Sequence, residues 1–407
     1  MNSGPVAPAQ TRSAGPKIPF SLLALALGGF TIGTTEFATM GILTNIASGL
    51  GVSIPAAGNA ITAYALGVVI GAPIIAVLSA RMSRTTLIVW LMGAYSVANL
   101  LSAYAQTLEM LMLGRFLAGL PHGVFFGVGA VIGTAIAGAN RRGYAMSIML
   151  GGLTIANVVG VPISSWVGEN LGWRAAFIAV GVLGFITLMA LLLALPKVPA
   201  EPGATVGTEL KALKNGRLWG VFIACGIGFG GMFTIYSYVK PMAMEEASIS
   251  VEFVPVILAV FGIGMTVGIF FSGRMMDISV KRTVYVGFFT TIGALIFLGL
   301  VGHNSYLFVF GIFLVGLTSQ FLALGLQGLL MDLSPTAPSL GAALCHSALN
   351  TANANGAFLG GIVITWGFGY LALAWLGVIL TVIGMVLVHL VAPKRRPLDI
   401  EQLIQDS

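Results

Sequence analysis

Charge is scarce in this sequence. Asp, Glu, Lys and Arg make up 8% of its 407 residues, against roughly 25% in soluble globular domains. So few ions cannot cover a water-exposed surface, which excludes a soluble body. Cysteine is limited to Cys225 and Cys345. Neither has the spacing of a metal site or the context of a disulfide framework, and both read as small packing residues in apolar segments. The sequence holds no His-Glu-x-x-His pair and no Gly-x-x-x-x-Gly-Lys-Ser/Thr loop, which sets aside a zinc hydrolase and ATP-driven transport by this chain. No nucleophile and base stand at a suggestive spacing, so no enzyme, cofactor or metal is expected.

What the chain has is apolar length. Hydrophobic residues reach 57%, and runs of about 20 residues, enough to cross a bilayer, follow one another almost without pause. The runs predict an all-α integral membrane protein with helices over 18–43, 57–80, 85–105, 109–137, 143–167, 172–195, 217–240, 250–274, 283–302, 305–331, 338–364 and 368–392. With the N-terminus inside, sixteen of the nineteen Lys and Arg residues fall on the cytoplasmic side. Only Arg174 and Lys240 lie outside, and Arg115 sits within a span. The positive-inside rule thus fixes orientation and an even number of spans, with both termini cytoplasmic and no cleaved signal peptide expected. The net charge of +6 is topology and not a nucleic-acid footprint.

A polar linker over 196–216 separates a first six-helix half, 18–195, from a second, 217–392, with short cytoplasmic tails at 1–17 and 393–407. One loop repeats between the halves: Ala80-Arg-Met-Ser-Arg84 after the second span and Asp277-Ile-Ser-Val-Lys281 after the eighth. Equivalent loops in two halves suggest duplication, with a site near the midplane. The sixth and twelfth spans carry almost no hydrogen-bonding side chains and read as lipid-facing.

Polar groups concentrate in the first, fourth, tenth and eleventh spans, where hydrocarbon makes them costly unless they face protein or water. Glu36 is the one acid deep within a span and the leading candidate for a protonatable site. Arg115 lies at similar depth, so the two could meet. Burial and a nearby arginine act on Glu36 in opposite senses, and the alternative is a permanent ion pair that stitches two helices. His122 shares a helical face with Arg115, Gly119 and Phe126 and could relay protons or make one plain hydrogen bond. Gly119, Gly123 and Gly127 read as a close-packing ladder. Gln320, Gln327, His346, Asn350 and Asn353 either line a path or bond between helices. Phe37, Phe126, Phe229 and Phe233 suit a greasy substrate or plain packing, and Tyr236 and Tyr238 are substrate contacts or interfacial anchors.

These residues resemble the major facilitator superfamily, in particular its twelve-span drug:proton antiporter branch of arabinose-type and chloramphenicol-type exporters. The resemblance spans about 18–392. It rests on Thr35-Glu-Phe37, Arg115-Phe-Leu-Ala-Gly119, Gly152 through Gly160-Val-Pro162, and Gly172-Trp-Arg174. It implies that Arg115 takes part in proton coupling and that Gly152, Gly160 and Pro162 form an exporter motif. It also implies a cytoplasmic latch of the form Gly-x-x-x-Asp-Arg-x-Gly-Arg-Arg. The first-half copy is degraded: Ala76 and Ala80 replace its glycine and aspartate, while Arg81 and Arg84 remain. The second-half copy keeps Gly273, Asp277, Lys281 and Arg282. The expectation is a proton-coupled exporter of small organic molecules, alternating access between two halves of one monomer in a bacterial inner membrane. Its partners would be substrate, protons and lipid, with no nucleic acid. An exporter of a specific sugar, nucleoside or amino acid, and a non-transporting membrane sensor, are the alternatives.

Overall fold

The computed structural model describes residues 19–201 and 203–391. The predicted tails, with Arg12, Lys17, Lys394, Arg395 and Arg396, lie outside the described residues. The apolar runs fold into α1 (Phe20–Gly41), α2 (Ile54–Leu78), α3 (Arg84–Ala103), α4 (Leu108–Ala137), α5 (Arg142–Ile155, continued through Val161–Asn170) and α6 (Trp173–Ala194). The second half repeats the set as α7 (Gly216–Gly228, continued by Gly230–Tyr236), α8 (Val254–Ile278), α9 (Val280–Val301), α10 (Ser305–Asp332), α11 (Pro338–Thr365) and α12 (Ala372–Val391). Polar caps set many of the starts: the Ser83, Thr107, Ser279 and Asn304 side chains accept from the first free N–H groups of α3, α4, α9 and α10, groups that hydrocarbon could not satisfy.

Packing is pseudo-repeated. Within the first half α2 lies against α4, α3 against α4 and α6, and α1 against α5; in the second, α8 pairs with α10, α9 with α10 and α12, and α7 with α11. Alternating helix direction gives the bundle two ends. At the linker end lie the starts of α1 and α7 and the loops between even and odd helices, and the other end is called distal below.

Two sequence expectations shift. The eighth helix runs on to Ile278 instead of ending at 274. Asp277 is therefore in its last turn and not in a loop, and Lys281 and Arg282 open α9 behind the Ser279 cap. Hydropathy stops at Arg274, but the backbone has no reason to stop there. Eleven of the twelve long helices are apolar enough to cross a membrane by composition alone. The remaining one is α11, whose 28 residues span roughly 42 Å at helical rise but carry the amides and histidine that lower its hydropathy. It is long enough to cross, and it is sheltered by both halves.

α5, expected as one helix over 143–167, is interrupted around Pro162. Pro162 has no N–H to give the Val158 carbonyl and its ring would strike that oxygen. The chain responds with a π segment over Ala156–Gly160, in which Val161 N–H reaches Ala156 O. Gly152 and Gly160 let α1 approach: a Cβ on Gly152 would run into the Ala26 carbonyl, and one on Gly160 into the Thr34 hydroxyl.

The halves meet along two seams. In the first, α5 lies on α8: Gly143 abuts the Gly273 carbonyl, Gly151 faces Phe270, and the Thr266 hydroxyl donates to Thr154 Oγ1 at 3.1 Å. In the second, α11 lies against α2 and α4. There Gly127 touches the Ser339 carbonyl, a Cβ on Gly123 would lie 3.1 Å from Ala343 O, and Ser347 donates to Val68 O at 3.2 Å. The glycine ladder thus works as close packing, Gly119 against α2 and the next two against α11. Both seams occupy the linker end and the middle. Distally the partners diverge, leaving Ile163, Trp166 and Phe358 more than half exposed.

The linker is bound to the first half. Thr85 Oγ1 donates to Pro196 O and accepts from Val198 N, and Arg84 N donates to Val198 O. The linker helix Val206–Leu213 then tucks Glu209 inward to 1% exposure. Burial pushes this carboxyl up to about 7 from its ordinary 4.5, against the smaller opposite pull of Arg84.

Two outcomes follow from this packing. Gly152→Val should destabilise the protein by about 1–3 kcal/mol, the range for overpacking, read as a lower melting temperature of purified protein. As pH rises from the ordinary carboxyl value to about 7, the folded protein retains a Glu209 proton that the unfolded chain has released. Stability from this group is therefore full at low pH and lost through that window. Glu209→Gln should flatten the fall in melting temperature between the two ends of the window, and an unchanged fall would count against the assignment.

Candidate functional site

Between the halves lies an enclosed cavity of about 70 Å³, lined by Glu36 and Phe37 of α1, Leu150 and Leu153 of α5, Phe229, Met232 and Phe233 of α7, Met265 of α8, Gln320, Ala323 and Gln327 of α10, and His346, Leu349 and Asn350 of α11. Eight of the residues singled out in the sequence therefore share one wall system, drawn from four helices: Glu36, Phe37, Phe229, Phe233, Gln320, Gln327, His346 and Asn350. Glu36 is its only acid among the described residues, half-buried on the cavity face of α1. Asn353, predicted on the same face of α11, is half-buried but does not line the cavity. A larger groove of about 830 Å³ lies between α2, α3, α4 and α6, but Ser79 brings its one hydroxyl among the described residues, and exposed Trp90 and Leu78 mark it as lipid-facing.

Arg115 does not form the ion pair with Glu36 that matched depth suggests, since among the described residues no nitrogen of it lies within 4.0 Å of a carboxylate. Rise along α4 sets its depth, but the Gly119–Gly67 contact with α2 sets its rotation. The side chain turns into the first half, 1% exposed, with its guanidinium 4.3 Å from the Tyr64 ring centre and 5.4 Å from that of Phe177. Nη2 donates to the Thr35 carbonyl at 3.4 Å, while Nε and Nη1 have no partner among the described residues. Its positive charge thus sits behind α1, one peptide from Glu36.

His122 joins this buried cluster to the second seam. Its Nδ1 is hydrogen-bonded to the Tyr64 hydroxyl at 2.8 Å, and its ring lies 5.4 Å from that of His346, which stacks on Phe126 at 4.3 Å. Phe126 is therefore a wall behind His346 and not a cavity residue. Tyr64 and Tyr95 escape a reading by polarity because aromatic residues pass as apolar. Tyr95 points its hydroxyl at the Thr31 and Ile32 carbonyls of α1, at 3.4 and 3.5 Å.

Tyr236 faces inward and is not an interfacial anchor. It stands one turn distal of Phe233, 5.7 Å from Phe37 and 4.9 Å from Phe261, which is itself one turn distal of Met265. These three rings, drawn from both halves, stand on the distal side of the cavity. Tyr238 donates to Ala357 O at 2.7 Å and holds α7 to α11.

The repeated loops diverge in what they hold. Asp277 accepts from Gly143 N at 2.5 Å and Tyr144 N at 3.1 Å, capping α5 across the first seam, and Arg142 pairs with Asp332 at 2.9 Å. Arg84 is buried and paired with Glu201. Arg81, Lys281 and Arg282 are exposed and make no ion pair among the described residues.

Two six-helix halves around a central cavity, whose largely apolar wall carries Glu36, Gln320, Gln327, His346 and Asn350, have the architecture of a membrane transporter. The chain belongs to the Major Facilitator Superfamily, whose profile matches residues 25–246 and 225–405. It is 36% identical over 379 residues to the inner membrane transport protein YdhP of Escherichia coli (strain K12), covering 93% of this chain and 97% of that one. It is 28% identical over 353 residues to a Helicobacter pylori (strain ATCC 700392 / 26695) protein named for sugar efflux, covering 86% and 90%. Among solved structures, the proton:xylose symporter XylE matches with a TM-score of 0.73 at 15% identity, over 92% of this chain and 95% of that one. That likeness is one of fold.

If the three rings are the distal plug, Tyr236→Ala should let a bulky thiol reagent reach a cysteine placed at Ala323, on the cavity wall, several-fold faster. Equal labelling rates in both backgrounds would refute the plug.

Proposed function

We propose that this transporter is a proton-coupled exporter of small amphipathic organic molecules, residing in a bacterial inner membrane with both termini cytoplasmic. The carrying observation is that the single acid lining the enclosed cavity among the described residues, Glu36, is walled by Phe37, Phe229, Phe233, Met232 and Met265 on one side and by Gln320, Gln327 and Asn350 on the other. A carboxyl there can hold either a proton or a cationic or hydrogen-bonding group of a substrate, and the apolar walls favour a greasy body. Two ligands that compete for one carboxylate exchange against each other, and each shifts the conformational balance only through its differential affinity for the two states. Arg115 acts on Glu36 through the short path across the Thr35 carbonyl, as a modulator of charge and not as a partner. His122 and His346, in ring contact, offer the proton a route along the seam. Export as the direction of transport follows the drug:proton antiporter branch that the sequence resembles.

The cavity's volume supports an occluded reading of this conformation. About 70 Å³ holds about two waters at roughly 30 Å³ each, whereas sites for drug-sized ligands take about 300–1,000 Å³. Substrate therefore enters after the halves part.

A second reading is favoured by one observation. Gln327 Nε2 is buried without a partner among the described residues, and with Gln320 and Asn350 it would suit the hydroxyls of a sugar, which agrees with the name of the Helicobacter relative.

The test is flux in proteoliposomes under an imposed pH gradient, with a lipophilic cation and with arabinose. The proposal expects gradient-driven cation flux that falls at least tenfold in Glu36→Gln, the scale of losing one charge-assisted contact. Arabinose flux without cation flux would establish the sugar reading. Undiminished, gradient-coupled flux in Glu36→Gln would remove Glu36 from the coupling.

A further inference from the structure

The degraded first-half loop leaves a question that the linker answers. In the second half Asp277, in the last turn of α8, reaches across the seam and accepts from the Gly143 and Tyr144 N–H groups in the first turn of α5, a favourable place for a negative charge. Pseudo-symmetry sends the equivalent contact from the end of α2 to the start of α11. The residue at that position is Ala80, buried and without a side-chain oxygen.

A carboxylate is nevertheless present. Glu201 lies 117 residues from Arg84 in sequence and is carried there by the linker segment stitched to the start of α3. Its Oε2 pairs with Arg84, whose Nη2 also donates to the Ala80 carbonyl at 3.4 Å. Its Oε1 accepts from the Ser339 hydroxyl, in the first turn of α11, at 2.7 Å. Side-chain exposure is 2% for Arg84 and 12% for Glu201. Withdrawing the carboxylate would take from the buried guanidinium its direct ion pair and leave it only the nearby Glu209 carboxyl, a costly change.

We propose that Glu201 is a gating residue of the transport cycle, which supplies from the linker the latch carboxylate that Ala80 lacks. It stays with Arg84 throughout, and only its bond to Ser339 breaks when α11 leaves α2 and α4 to open the linker end. The linker is then a working part of the gate and not a tether.

A cysteine at Ala343 reports this opening, because Ala343 is fully buried against Gly123 and Gly127 on the second seam. With Cys225 and Cys345 replaced by Ala, N-ethylmaleimide labelling of Ala343→Cys in membranes measures the open population without substrate or proton gradient. The result is thus independent of the coupling proposed for Glu36. Glu201→Ala should raise the labelling rate roughly tenfold, the shift for one charge-assisted hydrogen bond. Adding Ala80→Asp should return it to near the parent rate. Ser339→Ala, which cuts only the cross-seam arm, should also raise it, and this variant decides the matter if Glu201→Ala does not fold. Parent-like labelling in Glu201→Ala or in Ser339→Ala overturns the proposal, as does failure of Ala80→Asp to restore the parent rate.

Discussion

Hydrocarbon offers no hydrogen-bond partner, so every polar group in a spanning helix must find one inside the protein or in water held there. The architecture follows from that constraint. α11, the long helix whose composition alone would not qualify it to cross a bilayer, lies where both halves cover it, touching α2, α4, α7 and α10. Five of the nine buried side-chain polar atoms left without partners among the described residues, Arg115 Nε and Nη1, Thr35 Oγ1, Gln327 Nε2 and His346 Nε2, cluster on or just behind the cavity walls. A fold built only for stability would have satisfied or removed them, since each buried orphan costs about 1–3 kcal/mol. Here they stand where ligand, water or proton has to be received.

The two halves repeat in packing but not in chemistry. α4 presses on α11 at the second seam, while its pseudo-symmetric counterpart, α10 against α5, makes only slight contact. The cavity occupies that unclosed side, which is why the amides of α10 and the leucines of α5 line it together. The charges are divided likewise: Glu36 and Arg115 come from the first half, and the hydrogen-bonding amides from the second. A rocking motion of one half on the other therefore changes how the acid is surrounded, which a site built within one half could not do.

The helices were legible because hydrophobic length is a one-dimensional property. Depth was legible too, since helical rise converts residue number to height, and Glu36, Gln320, Gln327, His346 and Asn350 converge as their polarity suggested. Rotation about a helix axis was not legible. It turned Arg115 away from Glu36 and Tyr236 toward the cavity, because it depends on contacts such as Gly119 on Gly67 that periodicity does not specify. Asn353 shares a helical face with Asn350 yet misses the cavity, whose height is limited by the rings above it. Glu201 was hidden for a different reason. It reads as one charge in a polar connector, and its partners lie in a loop and a helix start remote in sequence, so only the folded path of the linker brings the three together.

The closures at the two ends differ in kind, and this bears on how the cycle is driven. At the linker end, glycine-mediated backbone contacts, the Asp277 cap, the Arg142–Asp332 ion pair and the Ser339–Glu201 hydrogen bond are directional and are made or lost as a unit. At the distal end, Phe37, Tyr236 and Phe261 pack by dispersion and edge-to-face contact, worth about 0.5–1.5 kcal/mol per pair, and rings can repack by rotamer changes. Swinging a two-state equilibrium from 1:99 to 99:1 takes about 5.5 kcal/mol, and charge-assisted hydrogen bonds contribute about 1.5–3 kcal/mol each. Two to four such bonds at the linker end therefore match the range over which binding must act. On the function proposed above, a proton or substrate at Glu36 can open the distal rings with little expenditure, but opening the linker end requires a ligand that favours the opposite state by nearly the whole of that sum.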